Sequence, residues 1–165
     1  KYFRISQEKT GTHRDSLMMN TEEKYLEFHC GRFGMLLSVS SIMEINAFHH
    51  EWCEDSGSSA QHHGKFVLWR DCELLFLDMR VCLGTEALQE PLHALILRDP
   101  DNGEAVALIA VDNIRQIVDI PDNQWHWFSG IDPQLDCFFD RIYPVHQQLL
   151  MRLAPTTVWL KHHAY

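Results

Sequence analysis

The stretch Gly64-Lys65-Phe66-Val67-Leu68-Trp69-Arg70-Asp71-Cys72-Glu73-Leu74-Leu75-Phe76-Leu77-Asp78-Met79-Arg80 holds two apolar runs around a polar break. Residues 65–69 are strand-like, rich in the aromatic and branched side chains that pleated surfaces favour. Residues 70–73 have turn character, and residues 74–78 return as a second strand. Gly84 punctuates its end. The expectation is a hairpin with Arg70 at its tip.

Working upstream, Tyr25-Leu26-Glu27-Phe28 alternates apolar and polar residues. Cys30-Gly31-Arg32-Phe33-Gly34 reads as a turn, with two glycines available for positive φ. Residues 35–45 resume an apolar run with serines interleaved, so residues 25–45 read as a second hairpin. Residues 46–64 break the pattern, and Asp55-Ser56-Gly57-Ser58-Ser59 is a loop by composition. Downstream, residues 92–97 form another strand. Asp99-Pro100-Asp101-Asn102-Gly103 is a strong turn signal. Residues 104–118 form a long apolar run, read as a strand that bends or spans two packing surfaces. Residues 125–128 and 137–143 are further short strands. After Pro144, residues 145–153 have helical spacing, with Leu149, Leu150 and Leu153 on one face and Pro155 as the stop. Roughly eight to ten short strands, with turn signals about every 8–12 residues, argue for an all-β barrel or sandwich closed by a short C-terminal helix.

Composition narrows the function. The 165 residues suit one domain, or one compact unit of two small lobes. Lys plus Arg is 14 against 23 for Asp plus Glu, a net charge of -9. Nucleic acids and anionic membranes both select basic patches, so no nucleic-acid partner is expected. No run approaches the roughly 18–20 apolar residues of a membrane span, so no direct membrane insertion is expected. The five cysteines, at 30, 53, 72, 82 and 137, are odd in number and form no C-x-x-C pair. That pattern fits reduced thiols and a cytoplasmic location. Residues 1–20 read as a polar arm, a tag or an extension, residues 21–153 as the folded unit, and residues 154–165 as a tail.

Residues 64–80, with Leu83-Gly84 after them, resemble the central motif of CheW-like domains. That motif reads G-x-hydrophobic-x-L-R-G, then a hydrophobic-Pro step, then D-L-R. Tyr25-Leu26-Glu27-Phe28, Phe33-Gly34, Val39 and Glu44-Ile45 are similar to the family's opening hairpin and its V-x-E-I signature. Ala107-Leu108-Ile109-Ala110-Val111-Asp112-Asn113-Ile114 is similar to its V-D-x-V run, with Ile120-Pro121 following. Asp71 stands in place of the usual glycine, Leu75 in place of the usual proline, and Ala107 or Leu108 where a glycine is common. The chain is thus identified as a divergent member. The resemblance implies two SH3-like five-stranded β-barrels sharing a hydrophobic core. It implies no enzymatic activity and no cofactor. It implies two partners, a CheA-type histidine kinase and the helical tip of a methyl-accepting chemoreceptor.

Several residues stand out as candidate partner contacts. Arg70, at a hairpin tip, can bridge carboxylates on a partner or form an internal ion pair with Asp71 or Asp78. Val39, Ile42 and Ile45 form the apolar side of an expected strand, as core or as a groove for a helix. Glu44 reaches solvent near the same surface. Asp71 joins the tip, and Asp78 contacts a partner or caps the turn after its strand. Of Trp125 and Trp127, one is expected in the core and the other facing a lobe or a partner.

His49, His50, Cys53, His62 and His63 lie close together with Glu51, Glu54 and Asp55, and are weak candidates for metal ligands. Adjacent histidines on an extended chain point apart, and the spacing matches no standard zinc motif. The leading reading is a non-catalytic signalling adaptor in chemotaxis or pilus-based motility. The alternative is the same fold repurposed as a metal or small-ligand sensor through residues 49–63. A thiolate pair of Cys53 with His49 or His50 has no third group to support catalysis.

Overall fold

Among the described residues, the apolar runs become eleven strands divided between two sheets. The computed structural model describes residues 23–52, 64–85, 90–128 and 133–154. The strands are β1 (Lys24–Cys30), β2 (Phe33–Ser38), β3 (Ile42–Ala47), β4 (Phe66–Trp69), β5 (Cys72–Asp78), β6 (His93–Arg98), β7 (Ala105–Val111), β8 (Asn113–Asp119), β9 (His126–Trp127), β10 (Phe139–Val145) and β11 (Gln148–Leu153). The α-helices among these residues are single turns, Met79–Cys82 and Pro133–Asp136. The fold is therefore mainly β, as expected. One sheet has the order β8-β1-β2-β11-β10-β9 and the other β3-β6-β7-β5-β4. The expected five-plus-five division becomes six plus five, the sixth strand being the two-residue β9.

The chain passes between sheets at two places. The apolar run of residues 35–45 divides at a 3-10 turn, Val39–Ser41, sending β2 and β3 to different sheets. The long run of residues 104–118 divides at Asp112, with β7 in the five-stranded sheet and β8 in the six-stranded one. Its length is thus two strands serving two packing surfaces.

Three apolar clusters follow from this arrangement. The largest takes Leu26, Phe28, Met35 and Leu37 from one sheet and Leu77, Leu95, Leu97 and Ile109 from the other. It is the shared core. The alternate faces supply two smaller clusters, since successive side chains in a strand point to opposite sides. Val67, Trp69, Leu74, Phe76 and Ile96 form one, covered by Met43, Phe48 and Trp52. Tyr25, Leu36, Ile120 and Leu150 form the other, with Trp125 and Tyr143 against them.

The C-terminal helix expected over residues 145–153 is instead a hairpin. Val145 pairs with Gln148, and the turn residue His146 has φ +51°. β11 runs antiparallel to β10 and parallel to β2. It is an interior strand buried on both faces: Leu150 enters one cluster, Met151 and Leu153 the shared core. Such strands read as continuous apolar runs, which short helices also produce. Gly34 lies opposite Leu150 in the parallel pair, and a Cβ there would overlap the Leu150 Cδ2.

Candidate functional site

The hairpin of β4 and β5 is tighter than the sequence indicates. Trp69 pairs directly with Cys72, leaving a two-residue turn. Arg70 and Asp71 both have positive φ, +46° and +64°. Two such residues make the turn that matches the twist of paired strands. Asp tolerates this conformation better than most residues, which accounts for Asp71 in place of glycine. Arg70 has no such tolerance, and strained backbone of this kind gathers at functional positions.

The Arg70 guanidinium is held on two sides. Its carbon lies 4.5 Å from the centre of the Trp69 ring, a cation–π contact. Its terminal nitrogen donates to Glu44 Oε1 at 2.9 Å. The two side chains are 65% and 28% exposed. β3 and β4 are the outer strands of the five-stranded sheet. The Arg70–Glu44 pair therefore links the two edges of that sheet, and the internal partner expected in Asp71 or Asp78 is Glu44 instead. The ion pair leaves donors of the planar fork free for a second carboxylate.

Edge strands surround this tip with apolar surface. Phe66 and Leu68, alternate residues of β4, are 63% and 53% exposed, whereas Val67 and Trp69 turn into the cluster beneath. Ile45 on β3 is also exposed. The sequence reading missed Phe66 and Leu68, because a four-residue strand apolar on both faces shows no alternation. Asp71 is exposed beside Arg70.

Four expected contacts are placed differently. Val39, Ile42 and Ile45 do not share a strand face: Val39 lies in the 3-10 turn, and the register shifts between Ile42 and Glu44. Val39 and Ile42 pack against the shared core and are half-buried. Asp78 is fully buried, so it is no surface contact. It caps the Met79–Cys82 turn through the Arg80 backbone N–H at 3.0 Å. It also accepts from Arg80 Nε at 2.9 Å and from a terminal Arg80 nitrogen at 2.6 Å.

Arg80 is itself 3% exposed and reaches Asp112 Oδ1 at 3.7 Å. Burial opposes its charge, but the Asp78 bonds and charge, helped by Asp112, outweigh that and raise its pKa. Asp112 in turn accepts from the Gly31 backbone N–H at 2.7 Å. One network, buried at Asp78 and Arg80 and reaching the surface at Asp112 and Gly31, thus ties β5 to the first hairpin and to the crossing between sheets. Cys30 beside it has a thiol pushed up to about 12, chiefly by burial.

His49 and His50 are exposed, and His49 packs edge-on against Trp52. Cys53, His62 and His63 lie outside the described residues. Among the described residues no three His, Cys, Asp or Glu side chains gather as a metal site, and no helix is long and apolar enough to cross a membrane. Trp125 packs against Tyr25, with ring centres 5.0 Å apart, while Trp127 faces outward. The paired tryptophans thus divide between core and surface.

Comparison with protein-family models and with curated proteins finds no match. Solved structures do share the fold. One is the scaffolding protein TtCheW from Thermoanaerobacter tengcongensis, 14% identical, with a TM-score of 0.59 over 81% of this chain and 89% of that one. The architecture of two sheets on a shared core is thus a CheW-like fold.

Proposed function

We propose that this chain is a non-catalytic signalling adaptor, coupling a chemoreceptor helical tip to a CheA-type histidine kinase in the cytoplasm. The observation that carries the reading is the Arg70 tip. A strained, solvent-facing arginine is pre-oriented by Trp69 and Glu44. A pre-oriented guanidinium loses less freedom on binding than a free one. Exposed Phe66 and Leu68 flank it on the same hairpin, supplying the apolar contact around a central arginine that protein interfaces favour. The CheW-like fold supports the same reading, since TtCheW is described as a scaffolding protein.

A pulldown tests this. The immobilised chain is expected to retain the regulatory C-terminal domain of the CheA-type kinase from the same organism, and separately a receptor-tip fragment. Arg70→Ala, shown to be folded, is expected to retain less of at least one. Retention of neither partner by the unaltered chain contradicts the adaptor reading.

A further inference from the structure

The six-stranded sheet carries a second, unrelated feature. Strands β9 and β10 and the 3-10 turn Asp122–Gln124 frame a pocket lined by Asp122, Trp125, His126, Trp127 and Arg141. Its volume is about 220 Å³. Pockets for drug-sized ligands run from roughly 300 to 1,000 Å³, so an occupant has to be small.

Three observations mark this pocket. Trp127 is 74% exposed, and the Arg141 guanidinium lies over its ring at 5.0 Å. Arg141 Nε and Trp125 Nε1 are buried donors without an acceptor, a condition that native proteins seldom leave uncompensated. Asp122 and Arg141 line the same pocket, yet among the described residues no ion pair joins either to any partner. The pocket therefore holds one arginine and one carboxylate, not joined to each other, with two indoles and His126 in the same lining.

We propose that this pocket binds a small zwitterion, an amino acid with an aromatic side chain. Its carboxylate accepts from Arg141 and, after a small side-chain adjustment, from Trp125 Nε1. Its ammonium group meets Asp122. Its ring packs against the Trp127 indole, where aromatic pairs gain beyond area alone. The chain's net charge of -9 repels a plain anion at long range but leaves a zwitterion unaffected. The proposal stands apart from the adaptor reading, because no lining residue belongs to the Arg70 surface.

The test titrates L-phenylalanine into the full chain, followed by tryptophan fluorescence and by calorimetry. Saturable binding is expected at millimolar concentration or below. 3-Phenylpropionate, which lacks the ammonium group, and phenethylamine, which lacks the carboxylate, are each expected to bind at least about tenfold more weakly. Asp122 is exposed, so Asp122→Asn leaves the fold intact. It is expected to weaken L-phenylalanine by about tenfold without weakening 3-phenylpropionate, whereas Arg141→Gln weakens both. The proposal is overturned by no saturable response to L-phenylalanine at about 10 mM, by unchanged affinity in both variants, or by 3-phenylpropionate binding as tightly as the amino acid.

Discussion

Arg70 and Arg80 stand at the two ends of β5 and carry the same chemistry into opposite settings. Arg70 pairs with Glu44 in solvent, and Arg80 pairs with Asp78 where both side chains are closed off from water. An exposed pair gains little Coulomb energy and is screened by salt, so it contributes about 0–1 kcal/mol. A buried pair is different. Removing one partner strands the other's charge in a poorly solvated site. The exposed arginine can thus be spared from the fold and given to a partner. The buried one cannot, and its network holds the crossing between the two sheets.

The largest effect expected from this contrast lies at Asp78. Asp78→Ala removes two bonds to the Arg80 side chain and the cap of the following turn, leaving Arg80 buried without its main counter-ion. We expect a loss of about 3–5 kcal/mol in urea unfolding. A loss under about 1 kcal/mol would place this pair in the same class as the exposed one.

A smaller effect separates burial from charge. Gly34→Ala introduces a methyl group against Leu150 between two interior strands. Overpacking of this kind costs about 1–3 kcal/mol. A neutral outcome would mean that the Leu150 side chain turns aside without cost, which would show the cluster around Tyr25, Leu36 and Ile120 to be loosely packed.

For the exposed pair, Arg70→Ala is expected to cost no more than about 1 kcal/mol. A double-mutant cycle with Glu44→Ala should give a coupling that shrinks as salt rises from low to roughly 1 M, where screening acts within about 3 Å. A salt-insensitive coupling would show the pair to be more enclosed than its exposure implies.

The mildest test uses pH. Burial, and then the bond to Glu23, push the Tyr25 phenol up to about 12 despite the opposing Arg152. The folded value lies above the ordinary value of 10, so the fold favours the neutral phenol. This contribution is fully present below pH 10 and is lost as pH rises through about 12. Cys30 acts in the same direction, from 9 to about 12. Tyr25→Phe is expected to lose stability less steeply across that alkaline window, whereas Arg70→Ala, away from both groups, keeps the wild-type slope. Equal slopes in all three proteins would contradict the assignment.

The sequence made some of this legible and hid the rest for identifiable reasons. The Arg70 hairpin was readable because two apolar runs bracket a polar pair. The Asp99–Gly103 turn was readable because its side chains make the turn: Asp99 Oδ1 accepts from the Asp101 N–H, and Asn102 Oδ1 from the Glu104 N–H. β11 is not legible, because an interior strand and a short helix share one apolar pattern. Asp78 was legible as an aspartate after a strand, but its burial depends on Arg80 folding back over it, which no local spacing announces. Glu44 was singled out, yet its bond to Arg70 joins residues from the two edge strands and needs the sheet to bring them together. The pocket at Trp127 was half visible: the aromatic run drew attention, but Arg141 enters from β10, opposite Trp127 in register.

The most direct test of the division between the two arginines is a calorimetric titration of the kinase regulatory domain into wild-type chain and into Arg70→Ala, with the urea midpoint of each measured on the same preparation. The account predicts roughly micromolar binding by the wild type. It also predicts a loss of at least about tenfold in the variant and midpoints that nearly coincide. Equal affinity in the two proteins, with a variant of normal stability, would contradict the claim that the exposed arginine is held for a partner.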